Sequence, residues 1–263
     1  MRLRIDLAYD GAAFHGWATQ PGLRTVQGEI ETAIATVMRL PALASLTVAG
    51  RTDTGVHARA QVAHVDLDEV DPVVLTRRLQ RVLPADISIR EVTEAVEGFD
   101  ARFAALERRY IYRLCDTIPD PLTRGTVVTH RRPLDVDAMN AASTHLLGEH
   151  DFASFCKKRE GATTIRELRE LASVRTGGRI ETTVRADAFC HSMVRSLMGA
   201  LVAVGEGRHD PTWAGEILAG GTRDARVRVM PAHGLTLEEI VYPPDHLLAA
   251  RVAQSRRRRD DPR

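Results

Sequence analysis

Residues 2–9, RLRIDLAY, alternate charged and apolar side chains, the period of two that sets one face of a strand in a core and the other in water. Asp10-Gly11 ends the run with turn chemistry. After the loop FHGWATQPGLR, Thr25 is a candidate N-cap, and GEIETAIATVMRL sets Ile30, Ile34, Val37 and Met38 on one helical face. SLTVAG and AQVAHVDLD read as strands on either side of a polar stretch, AGRTDTGVHAR. Asp71-Pro72 opens a helix through VVLTRRLQRVL, with proline early, where its missing N–H costs nothing. DISIREVTEA and RRYIYRLCDT alternate as strands, joined through FDARFAALE.

The second half repeats the style. LDVDAMNAASTHLLG reads as a helix ended by Gly148. RELRELASVRT and RIETTVRADAF read as strands, with Gly177-Gly178 as the hairpin turn. A long helix follows in HSMVRSLMGALVAVG, then a short one from Asp210-Pro211 through WAGEILAG, and LTLEEIVYP closes as a strand. The order strand-helix-strand-strand-helix-strand thus occurs twice, the split βαβ pattern. The expected fold is α+β: two ferredoxin-like halves with a mostly antiparallel sheet flanked by helices. This rests on element order, without a residue-by-residue repeat. The last residues, SRRRRDDPR, read as part of a disordered basic and acidic tail over 246–263.

Composition narrows the class. With 44% hydrophobic and 27% charged residues, wholesale disorder is excluded. The formal charge of +1 means that a nucleic-acid partner would require basic residues gathered on one face. Arginine far outnumbers lysine, which suits phosphate forks, although a GC-rich genome produces the same bias. Three cysteines, Cys115, Cys156 and Cys190, carry no C-x-x-C spacing, so neither a disulfide framework nor a structural zinc site is expected. No apolar signal core opens the chain and no run approaches membrane-spanning length, so a cytoplasmic protein without a membrane anchor is expected.

No G-x-G-x-x-G, P-loop, G-x-S-x-G or H-E-x-x-H motif is present. What remains is Asp53, in the polar stretch. Such a loop can be a plain turn. It can also hold a carboxylate for chemistry: Arg51, two residues away, favours the charged form, and Gly50 and Gly55 let backbone approach a ligand.

AGRTDTGVHA resembles the G-R-T-D-x-G-V-H signature of the TruA-type tRNA pseudouridine synthases. The resemblance spans nearly the whole chain through YDGAAFHGWATQPGLRTVQGE, FDARFAALERRYIYR, GEHDFASF, ADAFCHSMVRSLMGALVAVGEG and HGLTLEEIVYP. It implies that Asp53 is the catalytic aspartate, attacking or deprotonating the ribose of the target uridine. It further implies that Arg51 contacts the RNA where the flipped nucleotide leaves, that Tyr110 stacks on the target base, and that Leu235 lines the base pocket. Arg195 matches a basic residue that forms a salt bridge with the aspartate; Phe189 and His191 have supporting roles.

The implied substrate is tRNA, at nucleotides 38, 39 and 40 of the anticodon stem-loop, bound by a homodimer. No cofactor and no metal are implied, because the reaction only moves a base within its nucleotide. Residues 1–105 would carry the aspartate loop, and 106–245 would complete a cleft between the halves and the dimer interface.

From the residues alone, several alternatives stay open. Either Tyr110 or Tyr112 is core, since they alternate on one strand face. Arg195 is a site residue or a snorkelling edge residue. Trp17 reads as core rather than base-stacking. Arg24 and Lys157-Lys158-Arg159 are RNA contacts or solvated loop. A catalytically silent RNA-binding module and a glycosyl-transfer enzyme acting on free nucleosides are the rival functions.

Overall fold

The alternation of residues 2–9 becomes β1 (Arg2–Tyr9), with Leu3, Ile5, Leu7 and Tyr9 buried and the residues between them half-exposed. The computed structural model describes residues 1–157, 161 and 163–260, with backbone only at 257–260. After β1 come α1 (Val26–Met38), β2 (Thr47–Val48), β3 (His57–Asp66), α2 (Pro72–Val82) and β4 (Ile87–Glu94). Then follow β5 (Glu107–Cys115), β6 (Val128–Thr129), α3 (Val136–Thr144), β7 (Gly148–Asp151), β8 (Ile165–Thr176) and β9 (Arg179–Ala186). The chain closes with α4 (Met193–Gly205), α5 (Trp213–Ala219), β10 (Leu235–Val241) and α6 (Leu248–Asp260). It divides into two units: Met1–Arg108 with the segment from Leu237 on, and Arg109–Thr236.

In the first unit β1 is central, pairing antiparallel with β3 on one side and β4 on the other. The two residues of β2 lie opposite Ala63 and His64 of β3, and the order runs β4-β1-β3-β10. The helices begin where the sequence reading sets them. Thr25 is extended and its Oγ1 accepts from Gly28 N at 3.3 Å, opening α1; Ile30 and Ile34 turn inward. The Asp71 carboxylate accepts from Val73 N and Val74 N, with Pro72 next, opening α2. α1 packs on α2, and α2 on β4.

The second unit follows the same plan with β5, α3, the β8–β9 hairpin and α4, in the order β5-β9-β8-β7. Pairing is antiparallel between β7, β8 and β9, and β6 adds to β5 in parallel. Gly177, at φ 60°, makes the expected hairpin turn. α3 packs on α4 and β8. On α4 every residue except Arg195 is buried. Gly199 has no room for a side chain: a Cβ there would lie 1.7 Å from Arg228 O, so the segment around Arg228 runs directly along the helix. The α+β reading with two split βαβ halves therefore describes the chain.

Several local expectations change. α3 ends at Thr144, and Gly148, at φ 104°, opens β7 instead of capping a helix. β9 stops at Ala186, which leaves Phe189 in a loop. Leu237 onward joins the first unit, where the order of strands sets β10 beside β3. Cys156 and Cys190 are joined as a disulfide, with Cα atoms 5.8 Å apart, although none was expected. Folding brings together cysteines that lie 34 positions apart with no motif to mark them. Cys115 stays a buried thiol.

The expected disordered tail is helical over Leu248–Asp260, and the reason is packing. Leu248 is buried with Ala49, Val62, Phe99, Ala101 and Ala104, and Val252, one turn on, packs against the same cluster. Arg256 reaches Asp100 at 3.5 Å and lies 5.4 Å from the Phe103 ring centre. Truncating a buried leucine leaves a cavity, so Leu248→Ala should lower the unfolding free energy by about 2 kcal/mol in urea titrations. No change in the titration midpoint would mean that α6 is undocked.

Candidate active site

The polar stretch around Asp53 has no helix or strand of its own, so its backbone must be bonded elsewhere. The loop that follows β1 does this. Trp17 N donates to Thr52 O at 3.1 Å and Gly55 N to Phe14 O at 3.3 Å, while within the stretch Val56 N donates to Asp53 O at 3.1 Å. Gly11 presses against the far end: a Cβ there would lie 2.0 Å from Val56 O, a contact only glycine permits. Gly11 N also lies 3.0 Å from His57 Nδ1, and the same ring nitrogen lies 2.9 Å from the Asp10 carboxylate. Asp53 is half-buried on this support, and Arg51 is exposed.

The remaining candidates lie in the second unit. Tyr110 and Tyr112 are both buried on one face of β5. Tyr112 Oη donates to Pro231 O at 2.8 Å, and burial pushes its hydroxyl pKa up. Its hydroxyl is thus committed to the core, which leaves Tyr110 as the candidate for the base. Tyr110 meets Phe189 edge to face, with ring centres 5.1 Å apart.

Arg195 is half-buried near the start of α4 and held at two points. Its Nε donates to Met230 O at 2.7 Å, and its carbonyl accepts from Met230 N at 3.1 Å. That double tie runs beside Gly199, so the helix and the 228–231 segment orient the guanidinium together. Leu235 is buried at the start of β10, and Gly234 before it would bring a Cβ within 3.0 Å of the Tyr112 ring. The structure thus links Tyr110, Phe189, Arg195 and Leu235 through β5 and the 228–235 segment, and carries Asp53 and Arg51 on one loop of the first unit.

A family model described as tRNA pseudouridine synthase matches residues 142–243. The tRNA pseudouridine synthase A of Cutibacterium acnes is 58% identical, covering 98% of this chain and 95% of its own. Those of Streptomyces griseus and Mycobacterium leprae are 56% and 49% identical, each over 97% of this chain and over 93% and 94% of their own. This chain belongs to the tRNA pseudouridine synthase A family. It is an isomerase of that kind. The family model covers most of the second unit, and the relatives extend the match across the Asp53 loop.

Among the described residues no three His, Cys, Asp or Glu side chains are placed to hold a metal, and no helix is long and apolar enough to cross a membrane. Trp17 is core, 1% exposed and tilted against Tyr9. Lys157 is exposed and its N–H donates to His191 O at 3.0 Å; Lys158 and Arg159 lie outside the described residues. Sequence reasoning passed over Met230 and Pro231, which carry no chemical label because they act through backbone carbonyls. It also passed over Gln61, a fully buried amide on β3, which is the kind of residue that marks a polar network.

Arg24 is tied into an ion-pair cluster. Its guanidinium bonds Asp86 at 2.7 and 2.9 Å and Glu29 at 2.9 Å, and it lies 4.2 Å from the Phe14 ring centre. Hydrogen bonds from Arg24 hold the Asp86 carboxyl below its usual range. A lowered folded-state pKa means that this stabilisation is present above the unfolded value and is lost as pH falls through the folded one. Arg24→Gln should therefore cost about 1 kcal/mol at neutral pH. The deficit should shrink as pH drops below about 4, the ordinary aspartate value. Urea titrations of both proteins across that range check this, and a deficit independent of pH would contradict it.

Proposed function

We propose that this chain isomerises uridine to pseudouridine at nucleotides 38, 39 and 40 in the anticodon stem-loop of tRNAs, with Asp53 as the catalytic carboxylate. Family membership supports the reaction. The observation that carries the assignment of Asp53 is the loop itself: its backbone is bonded and wedged so that a half-buried carboxylate is held in place. A solvated turn has no need of such support.

The reaction breaks the bond between uracil N1 and ribose C1′, turns the base, and joins C5 to C1′. The proton on C5 departs and N1 gains one, so atoms and electrons balance without an outside reactant. Asp53 either adds to C1′ or removes the proton from C2′; both routes need a carboxylate aimed at the ribose. Tyr110 supplies the ring for the detached uracil, and Leu235 an apolar wall that keeps it from water. Arg195 supplies positive charge at the site, and Arg51, exposed at the loop, contacts the RNA as the nucleotide leaves its stack. Unstacking costs a few kcal/mol, which phosphate contacts offset. The enzyme acts in the cytoplasm as a homodimer, which would extend the surface available to one tRNA.

Pseudouridine mapping in tRNA from a strain lacking this gene tests the reading. Nucleotides 38, 39 and 40 should be unmodified, restored by the wild-type gene and not by Asp53→Ala. Modification that persists in the deletion strain, or that Asp53→Ala restores, would overturn it.

A further inference from the structure

Asp53 follows Thr52 directly, and Thr52 is gripped by a buried hydrogen-bond chain that the chemistry above leaves unused. Tyr9, the last residue of β1, sets its Oη 2.8 Å from Thr52 Oγ1. Gln61, on β3, donates through Nε2 to Tyr9 Oη at 3.2 Å and to Gly50 O at 2.8 Å, and its Oε1 accepts from Val62 N at 3.2 Å. An amide nitrogen only donates, so Tyr9 Oη accepts from Gln61, and one hydroxyl–hydroxyl bond joins it to Thr52 Oγ1. The three residues are 5%, 7% and 0% exposed for Tyr9, Thr52 and Gln61, so water does not compete for these bonds.

The chain reaches the aspartate loop at two places. Gln61 ties the backbone at Gly50, and Tyr9 ties the side chain of Thr52. Trp17 N–H holds the Thr52 carbonyl as well, at 3.1 Å. Thr52 is therefore restrained by its side chain and its backbone together, immediately before Asp53. Burial raises the Tyr9 hydroxyl to about 12, so it stays protonated through the neutral range. Its role is geometric. A partly unsatisfied network of this kind would be costly, and a fully satisfied one specifies a single arrangement.

We propose that Tyr9, Thr52 and Gln61 are positioning residues that set the aim of the Asp53 carboxylate, so that losing either hydroxyl slows the chemical step while RNA binding persists. This rests on the reading of Asp53 as the catalytic carboxylate. Misplacing a reacting group by a fraction of an ångström is expensive in rate and cheap in affinity.

Three substitutions test it. Tyr9→Phe keeps the ring that meets Trp17 at 6.0 Å between centres. Thr52→Val keeps the shape without the hydroxyl, and Thr52→Ser restores the hydroxyl. Turnover is read from tRNA carrying tritium on uridine C5, which is released as C5 bonds to the ribose; circular dichroism melts establish the folded fraction. Tyr9→Phe and Thr52→Val should each lower kcat about ten- to hundredfold per folded molecule, with KM within about threefold. Thr52→Ser should recover most of the loss seen with Thr52→Val. Because one hydrogen bond joins the two residues, the double substitution Tyr9→Phe with Thr52→Val should be no slower than the slower single one. Rates that multiply in the double variant, a failure of Thr52→Ser to recover, or a loss carried by KM would each overturn the proposal. Asp53→Asn, assayed beside them, separates the two readings. Wild-type turnover by Asp53→Asn would remove the catalytic role of Asp53, whereas multiplying rates with an inactive Asp53→Asn would remove the positioning network alone.

Discussion

A loop with no secondary structure can hold a carboxylate still only if other parts of the chain bond its backbone. Here that task falls to the segment after β1. Trp17 takes the Thr52 carbonyl, Phe14 takes the Gly55 amide, and Gly11 lies against Val56 at a distance that excludes any side chain. Each bond is worth about 1 kcal/mol net, but an unmade one in a buried site costs more, so the two loops stand or fall together. Two stretches of sequence that carry no common pattern, YDGAAFHGW and AGRTDTGVH, are thus one structural object. The first is the mould and the second the casting.

The second unit solves a related problem with a helix. α4 is buried on all sides except at Arg195, so a charged side chain emerges from an otherwise apolar element. Burying that cation unassisted would be expensive, and the Met230 carbonyl, brought close by the absence of a side chain at Gly199, takes one of its donors. The same segment continues to Pro231, which receives the Tyr112 hydroxyl, and on to Leu235. One irregular segment therefore orients the arginine, anchors the inert tyrosine and delivers the apolar residue.

Elements with a strong period were readable in advance. β1, the start of α1 at Thr25 and the start of α2 at Asp71 follow from alternation and capping chemistry, which are local. What failed was set by distant packing. The helix α6 looks like a charged tail because its anchors are only Leu248 and Val252, and their partners lie far away in sequence. The Cys156–Cys190 link had no spacing signal, and Gly148 could be read as a helix cap or a strand start until its neighbours were known. Asp53 was singled out as a candidate by its polar loop and by resemblance, and Arg195 by resemblance, since no spacing rule marks either. The bond from the Tyr112 hydroxyl to Pro231 and the two carboxylate partners of Arg24 are long-range contacts that local sequence does not display. Gln61 went unread because β3 carries other polar residues, and only its full burial shows that its amide needs partners.

The central claim is that the held carboxylate of Asp53 performs the chemistry while the rest of the protein binds and positions RNA. Single-turnover tritium release from tRNA labelled at uridine C5, measured with Asp53→Asn beside a direct titration of tRNA affinity, tests it most directly. The account predicts binding within about threefold of wild type and a rate reduced at least about a thousandfold. Release at the wild-type rate by the folded variant would contradict it.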